Sequence, residues 1–246
     1  MARVKRVTAI AEYQGKEAYI RFMAPVNPAT SLSLLRAIDQ KLSEGVSRLH
    51  LMISSPGGSV FHGLSISSFL RGAPLELFTY NFGSVDSIGV VVFCAGTRRF
   101  SVPHARFLIH GVSMNFAGNA IFDEKSLEEH LKSLKIDYQN IAKLIADTCG
   151  KKAERVVQDM NDRTTLNPRE AIEYGLVHEV RPVLFPAGAD LSVINEDGSH
   201  GAFKQPPLGV VPSPQVRVAQ HVTGPAVQSF TKSVTLNHGT FFPDND

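Results

Sequence analysis

Hydrophobic positions along this chain follow two alternating periods. Short runs rich in β-branched and aromatic residues predict strands over Ala18–Ala24, Ser47–Ile53, Leu75–Tyr80, Arg98–Val102 and Ala105–Ile109. Between them, apolar residues recur at helical spacing. Leu32, Leu35, Ile38 and Leu42 predict a helix over Pro28–Gly45, which Gly45 stops. Ser59–Arg71 carries Val60, Leu64, Ile66, Phe69 and Leu70, and Ser87–Ala95 is a compact apolar helix. From Phe122 to Cys149 a long helix presents Leu127, Leu131, Leu134, Tyr138, Ile141, Leu144 and Ile145 on one broad face, ended by Gly150. A shorter helix covers Lys151–Met160. Asn167-Pro168-Arg169-Glu170 has the N-cap, first-turn proline and closing glutamate of a further helix start. Alternating β and α elements predict an α/β fold, with helices packed on a largely parallel sheet.

After Arg181 the pattern fades. Eight of the 14 prolines fall in the last 66 residues, beside only nine charged side chains. Val193-Ile194, Val216–Val218 and Val234–Leu236 offer only short strand fragments. Residues 1–180 therefore read as the folded domain and 181–246 as a proline-containing, mostly extended C-terminal tail.

Composition narrows the function. Hydrophobic residues make up 43% of 246, enough for a sizeable core. With 25 basic and 23 acidic residues the net charge is +2, which argues against nucleic acid or an anionic membrane as main partner. No apolar run approaches the length of a membrane span, and Met1-Ala2-Arg3-Val4-Lys5 lacks the apolar core of a secretory signal. Cys94 and Cys149 do not make a disulfide framework, and Cys94 reads as a small core residue. The expected compartment is the cytoplasm. No histidine falls in a zinc-type pair and no P-loop occurs, so neither metal nor organic cofactor is expected.

Three short segments carry candidate chemistry. Ile53-Ser54-Ser55-Pro56-Gly57-Gly58-Ser59-Val60, Gly83-Ser84-Val85-Asp86-Ser87-Ile88-Gly89 and Leu108-Ile109-His110 each follow or end a strand-like run. A hydroxyl becomes a nucleophile when a neighbouring base takes its proton. Ser87 lies where a strand turns into a helix, and His110 would be delivered to the edge of a sheet. The amides of Gly58 and Ile88 are then the natural donors to a developing oxyanion. The hydrolase elbow Gly-x-Ser-x-Gly is not met, since Val85 replaces its first glycine.

With Arg106-Phe107-Leu108-Ile109-His110 and Glu170-Ala171-Ile172-Glu173-Tyr174-Gly175-Leu176-Val177, these segments make the chain resemble the proteolytic subunit of the Clp protease and its stand-alone or phage-type relatives, over roughly Ala18 to Val180. The resemblance implies a Clp/crotonase-type β-β-α spiral with a long handle helix. It implies a serine endopeptidase of the ATP-dependent Clp type, with Ser87 as nucleophile, His110 as general base, and Gly58 and Ile88 as oxyanion donors. It further implies that Gly111, Val112, Ser113, Met114 and Asn115 pair with extended polypeptide substrate, that the protein is a homo-oligomeric ring, and that any unfolding is done by a separate AAA+ ATPase. An ungapped count from Glu170-Ala171 puts the family's catalytic aspartate on Arg163. Asp162 restores the triad if the loop shifts by one residue, and Asp159 is the other nearby acid. Without either, the chain is a Ser-His dyad, or a catalytically weak or inactive ring scaffold. An acyl-CoA enzyme on the related crotonase fold, which needs no serine nucleophile, is the rival chemistry.

Overall fold

The computed structural model describes residues 15–114, 118 and 121–204. In chain order the elements are β1 (Lys16–Met23), α1 (Pro28–Ser43), β2 (Val46–Ser55), α2 (Val60–Gly72), β3 (Glu76–Asp86), α3 (Ile88–Phe93), β4 (Arg98–Ser101) and β5 (Arg106–Ile109). Then follow α4 (Glu124–Cys149), α5 (Ala153–Asn161), β6 (Thr164–Leu166), α6 (Pro168–Tyr174), β7 (Glu179–Val180), β8 (Asp190–Ile194) and β9 (His200–Lys204). The strands and helices predicted between Ala18 and Val180 are all present, with ends shifted by a few residues.

The described strands form one sheet, in the order β6-β5-β3-β2-β1-β8-β9, with β4 pairing β3 and β7. All pairs are parallel except β5–β6 and β8–β9. β3 is longer than its periodicity predicts because it serves two neighbours on one edge. Phe78–Asn81 pairs with β4, and Ser84–Asp86 pairs with β5. That fork brings the residues before Ser87 against the strand that ends at Ile109, just before His110.

Helix ends are set locally. Asn27 and Asn167 each complete a capping box, with Pro28 and Pro168 in the first turn, so α1 and α6 start where their sequences say. The main core joins β1, β2, β3 and β5 to α1, α2, α3 and the second half of α4 through Ile20, Phe22, Leu34, Ile38, Leu51, Ile53, Val90, Phe93, Phe107 and Ile145. Burying side chains of this size stabilises by about 1.5–3 kcal/mol each before entropy is counted. Arg99, buried, ties distant loops to this core. Its Nε donates to Leu176 O at 2.8 Å, Nη1 to Gly96 O at 3.0 Å, and Nη2 to Gly175 O and Thr148 O at 3.2 and 3.3 Å.

Two features depart from the sequence reading. The tail expected from Arg181 enters the sheet: β8 pairs with β1 in parallel, and β9 closes a hairpin on β8. Alternation was hidden there because Asp190–Ile194 is buried at four successive positions after its first residue. Val216–Val218 and Val234–Leu236 lie outside the described residues. The broad apolar face of α4 is also divided. Ile141, Ala142, Ile145 and Ala146 are buried, whereas Leu127, Leu131 and Ile136 are exposed in the single chain.

A second, aromatic layer packs Tyr19, Met52, Tyr80, Phe100, Leu191 and Val193 together with Phe78, Leu184 and Phe185. His50 stacks on Tyr19 at 4.4 Å, and its Nδ1 lies 2.8 Å from Tyr80 Oη. Burial, against an opposing pull from Glu17, pushes the His50 pKa down to about 4 from 6.5. Between those values the unfolded chain takes up a proton that the folded chain refuses. The stabilisation is therefore complete above pH 6.5 and is lost as pH falls towards 4, by at most about 3 kcal/mol. His50→Gln should show a shallower decline of the urea midpoint across that window. Equal slopes for the two proteins would contradict this account.

Candidate active site

The loop after β2 is pinned by backbone. Val26 N–H donates to Gly57 O at 2.7 Å, and Ser59 N–H donates to Val26 O at 2.8 Å. Gly58 has φ 143°, and a Cβ there would stand 2.3 Å from Val26 O, so only glycine fits. A Cβ on Gly57 would meet Ser87 Cβ at 2.6 Å and Asp86 O at 2.8 Å. The two glycines thus let this loop lie directly against Ser87.

Ser87 has φ 57° and ψ −131°, a conformation that non-glycine residues rarely adopt and that costs about 1–3 kcal/mol. Its amide donates to Leu108 O at 2.8 Å, continuing the β3–β5 contact. It occupies the N-cap of α3, yet its hydroxyl makes no capping hydrogen bond. Serine at an N-cap ordinarily uses its oxygen to cap. Here the backbone is strained and the hydroxyl is left uncapped.

Ser87, Ile88, Gly58 and His110 line one cleft, together with Val60, Ile109, Gly111, Val112, Ser113, Ile141 and Ile145. The structure therefore brings together the four residues singled out for nucleophile, base and oxyanion donors. His110 follows β5, and its Nδ1 lies 2.7 Å from Gly111 O. A carbonyl oxygen only accepts, so Nδ1 carries a proton, and it is Nε2 that is left to act as an acceptor. That is the tautomer a base needs in order to take a hydroxyl proton through Nε2.

The acid is not where the sequence placed it. Asp162 ends α5 as an exposed residue, and its carboxylate accepts from Gln158 Nε2 at 2.8 Å. It does not line the cleft. Asp159 is buried elsewhere, accepting from Tyr174 Oη at 2.7 Å and pairing with Arg155 Nη2 at 2.9 Å. Asp86, next to the serine, is held by Arg106 Nη2 at 2.9 Å and Ser84 Oγ at 2.8 Å. The β5–β6 ladder ends on the pair Ile109 and Thr164, and His110 and Arg163 each come one residue beyond it. Arg163 is the left-handed residue after α5, with φ 53°. The one-residue loop shift that would have put Asp162 there does not occur, because β6 fixes the register up to Thr164.

Asp159 has a structural task. Asp159→Ala should destabilise the fold by about 1–3 kcal/mol, because it strips a buried carboxylate from the buried end of the Tyr174 hydroxyl. Asp162→Ala should be neutral within about 0.5 kcal/mol. Denaturant titration of the two variants checks the contrast.

Of the expected substrate-contact residues, Gly111, Val112 and Ser113 line the cleft, Met114 lies just beyond them, and Asn115 falls outside the described residues. Ile141 and Ile145 were read only as part of the broad apolar face of the long helix. Their four-residue spacing puts both on one face of α4, which was the available clue. Among the described residues, no three His, Cys, Asp or Glu side chains converge as a metal site, and no helix is long and apolar enough to cross a membrane.

The architecture is that of the Clp proteolytic core. A point mutant of ClpP1 from Listeria monocytogenes superposes with a TM-score of 0.60 and 23% sequence identity, covering 67% of this chain and 91% of that one. The sequence model described as Clp protease matches residues 3–183. This chain belongs to the Clp protease family. It is similar to ATP-dependent Clp protease proteolytic subunit 2 of Corynebacterium efficiens, with 33% identity over 134 residues, 54% of this chain and 65% of that protein's length. It is likewise similar to ATP-dependent Clp protease proteolytic subunit 3 of Rhodococcus jostii, with 35% identity over 153 residues, 61% of this chain and 71% of that protein.

Proposed function

We propose that this protein is a serine endopeptidase that cleaves unfolded or extended polypeptide through an acyl-enzyme. One observation carries the reading. Ser87, strained and with its hydroxyl uncapped, shares a cleft with His110, whose proton is held on Nδ1 by Gly111 O. Ser87 Oγ attacks the scissile carbonyl while His110 Nε2 takes its proton. The Gly58 and Ile88 amides donate to the oxyanion, and the imidazolium then protonates the leaving amine. Water repeats the sequence to release the acyl group. Ile141, Ile145 and Val60 give the cleft an apolar wall, and Gly111–Ser113 offers backbone along which an extended chain can lie.

The assembly reading belongs with this one. The exposed apolar first half of α4 suits burial against another copy in a homo-oligomeric ring. The ATP-dependent names of the relatives support a separate AAA+ ATPase partner. Among the described residues His110 Nδ1 meets the Gly111 carbonyl and Asp162 serves Gln158, which favours one second reading, a ring scaffold with weak or no catalysis. Hydrolysis of a fluorogenic peptide with an apolar residue before the cleaved bond, run beside a CoA thioester, separates the readings. The peptidase cleaves the peptide in a Ser87-dependent manner. A scaffold cleaves neither substrate, and an acyl-CoA enzyme turns over the thioester without Ser87.

A further inference from the structure

The two cysteines, 55 residues apart in sequence, meet in the fold. Cys94 closes α3 and is buried, while Cys149 is the last residue of α4 and is partly exposed. The loops around them are clamped together. Arg71 Nη2 donates to Cys94 O at 2.7 Å and to Thr148 Oγ1 at 3.0 Å, and Arg99 donates both to Gly96 O and to Thr148 O. Cys94 lies in the main core and Cys149 packs against that core, close enough for each thiol to perturb the other's acidity. We propose that Cys94 and Cys149 form a peroxide-responsive dithiol, oxidised to an intrachain disulfide that ties the end of α3 to the end of α4.

The two thiols are unequal in the way such chemistry needs. Donation from Cys94, helped by the Arg99 and Lys151 charges and opposed by burial, lowers the Cys149 pKa. The same hydrogen bond and deep burial raise that of Cys94. A partly exposed thiol beside fixed positive charge is the reactive kind, and a buried neighbour suits the resolving role. The Cys149 thiolate attacks one oxygen of hydrogen peroxide, the O–O bond breaks, and Cys149 sulfenic acid and hydroxide result. Cys94 sulfur then attacks Cys149 sulfur. The S–O bond breaks, and the leaving hydroxide combines with the Cys94 proton as water. Over both steps two thiols are oxidised and one peroxide is reduced to two waters.

The bond would join the helix that begins at Ser87 to the helix whose Ile141 and Ile145 wall the cleft. Its formation does not depend on peptidase activity, so the test reads chemistry alone. The reduced full chain is treated with hydrogen peroxide under native conditions, quenched with catalase, unfolded, alkylated with iodoacetamide and weighed by mass spectrometry. The expected product is a monomer lighter by two hydrogens that takes up no alkyl group. Its linked peptide contains Cys94 and Cys149, and dithiothreitol restores both alkylation sites. In Cys94→Ser, dimedone should trap Cys149 as the sulfenic acid. Two fully alkylated thiols after peroxide, a disulfide between two chains, or dimedone capture at Cys94 in Cys149→Ser in place of Cys149 in Cys94→Ser would overturn the proposal.

Discussion

Ser87→Ala is expected to lower peptide hydrolysis by about four orders of magnitude or more, and to leave the fold intact. The two halves of that expectation have separate causes. In the proposed mechanism the acyl-enzyme forms only on the serine oxygen, and alanine offers no substitute. The backbone at position 87 is strained whether serine or alanine occupies it, and the hydroxyl caps nothing. Little stability is therefore at stake, less than about 1 kcal/mol. Turnover of the variant within ten-fold of the parent would remove the serine mechanism. A large loss of both activity and thermal stability would show that the hydroxyl was structural.

Arg163→Asp is expected to raise turnover by about ten- to a hundred-fold. In the best-studied triads, loss of the orienting acid costs about four orders of magnitude, partly through the wrong imidazole tautomer. Here Gly111 O already holds the proton on Nδ1. Only the electrostatic part, stabilisation of the imidazolium, remains to be gained, hence the smaller figure. Position 163 lies one residue beyond the last β5–β6 pair, as His110 does, and aspartate tolerates its left-handed conformation better than arginine does. Asp162→Ala, in contrast, should change turnover by less than about two-fold, because its carboxylate serves Gln158. An unchanged rate in Arg163→Asp together with a collapsed rate in Asp162→Ala would restore Asp162 as the orienting acid.

These expectations show which parts of the chain were legible. The β–α alternation, the caps at Asn27 and Asn167 and the glycine turn at 57–58 are local features, set by side-chain periodicity and backbone freedom within a few residues. They were readable for that reason. That Ser87, Ile88, Gly58 and His110 come together in one cleft was foreseeable because each sits at the end of a local element. What escaped depended on pairing across the sheet. β6 is only three residues long and gains its strand character from β5, so the fate of Asp162 and Arg163 rests on a register that no local pattern carries. β8 lies among proline-rich sequence and is a strand because β1 offers it an edge. Nor does any periodicity say that Cys94 and Cys149 meet, since their contact depends on how α4 crosses α3.

The most direct test of the central claim is covalent labelling with a fluorophosphonate, read by intact mass and peptide mapping. The account predicts a single adduct on Ser87, formed by the parent protein and abolished in His110→Ala with the fold retained. An adduct on any other residue, or equal labelling of Ser87 with and without His110, would contradict it.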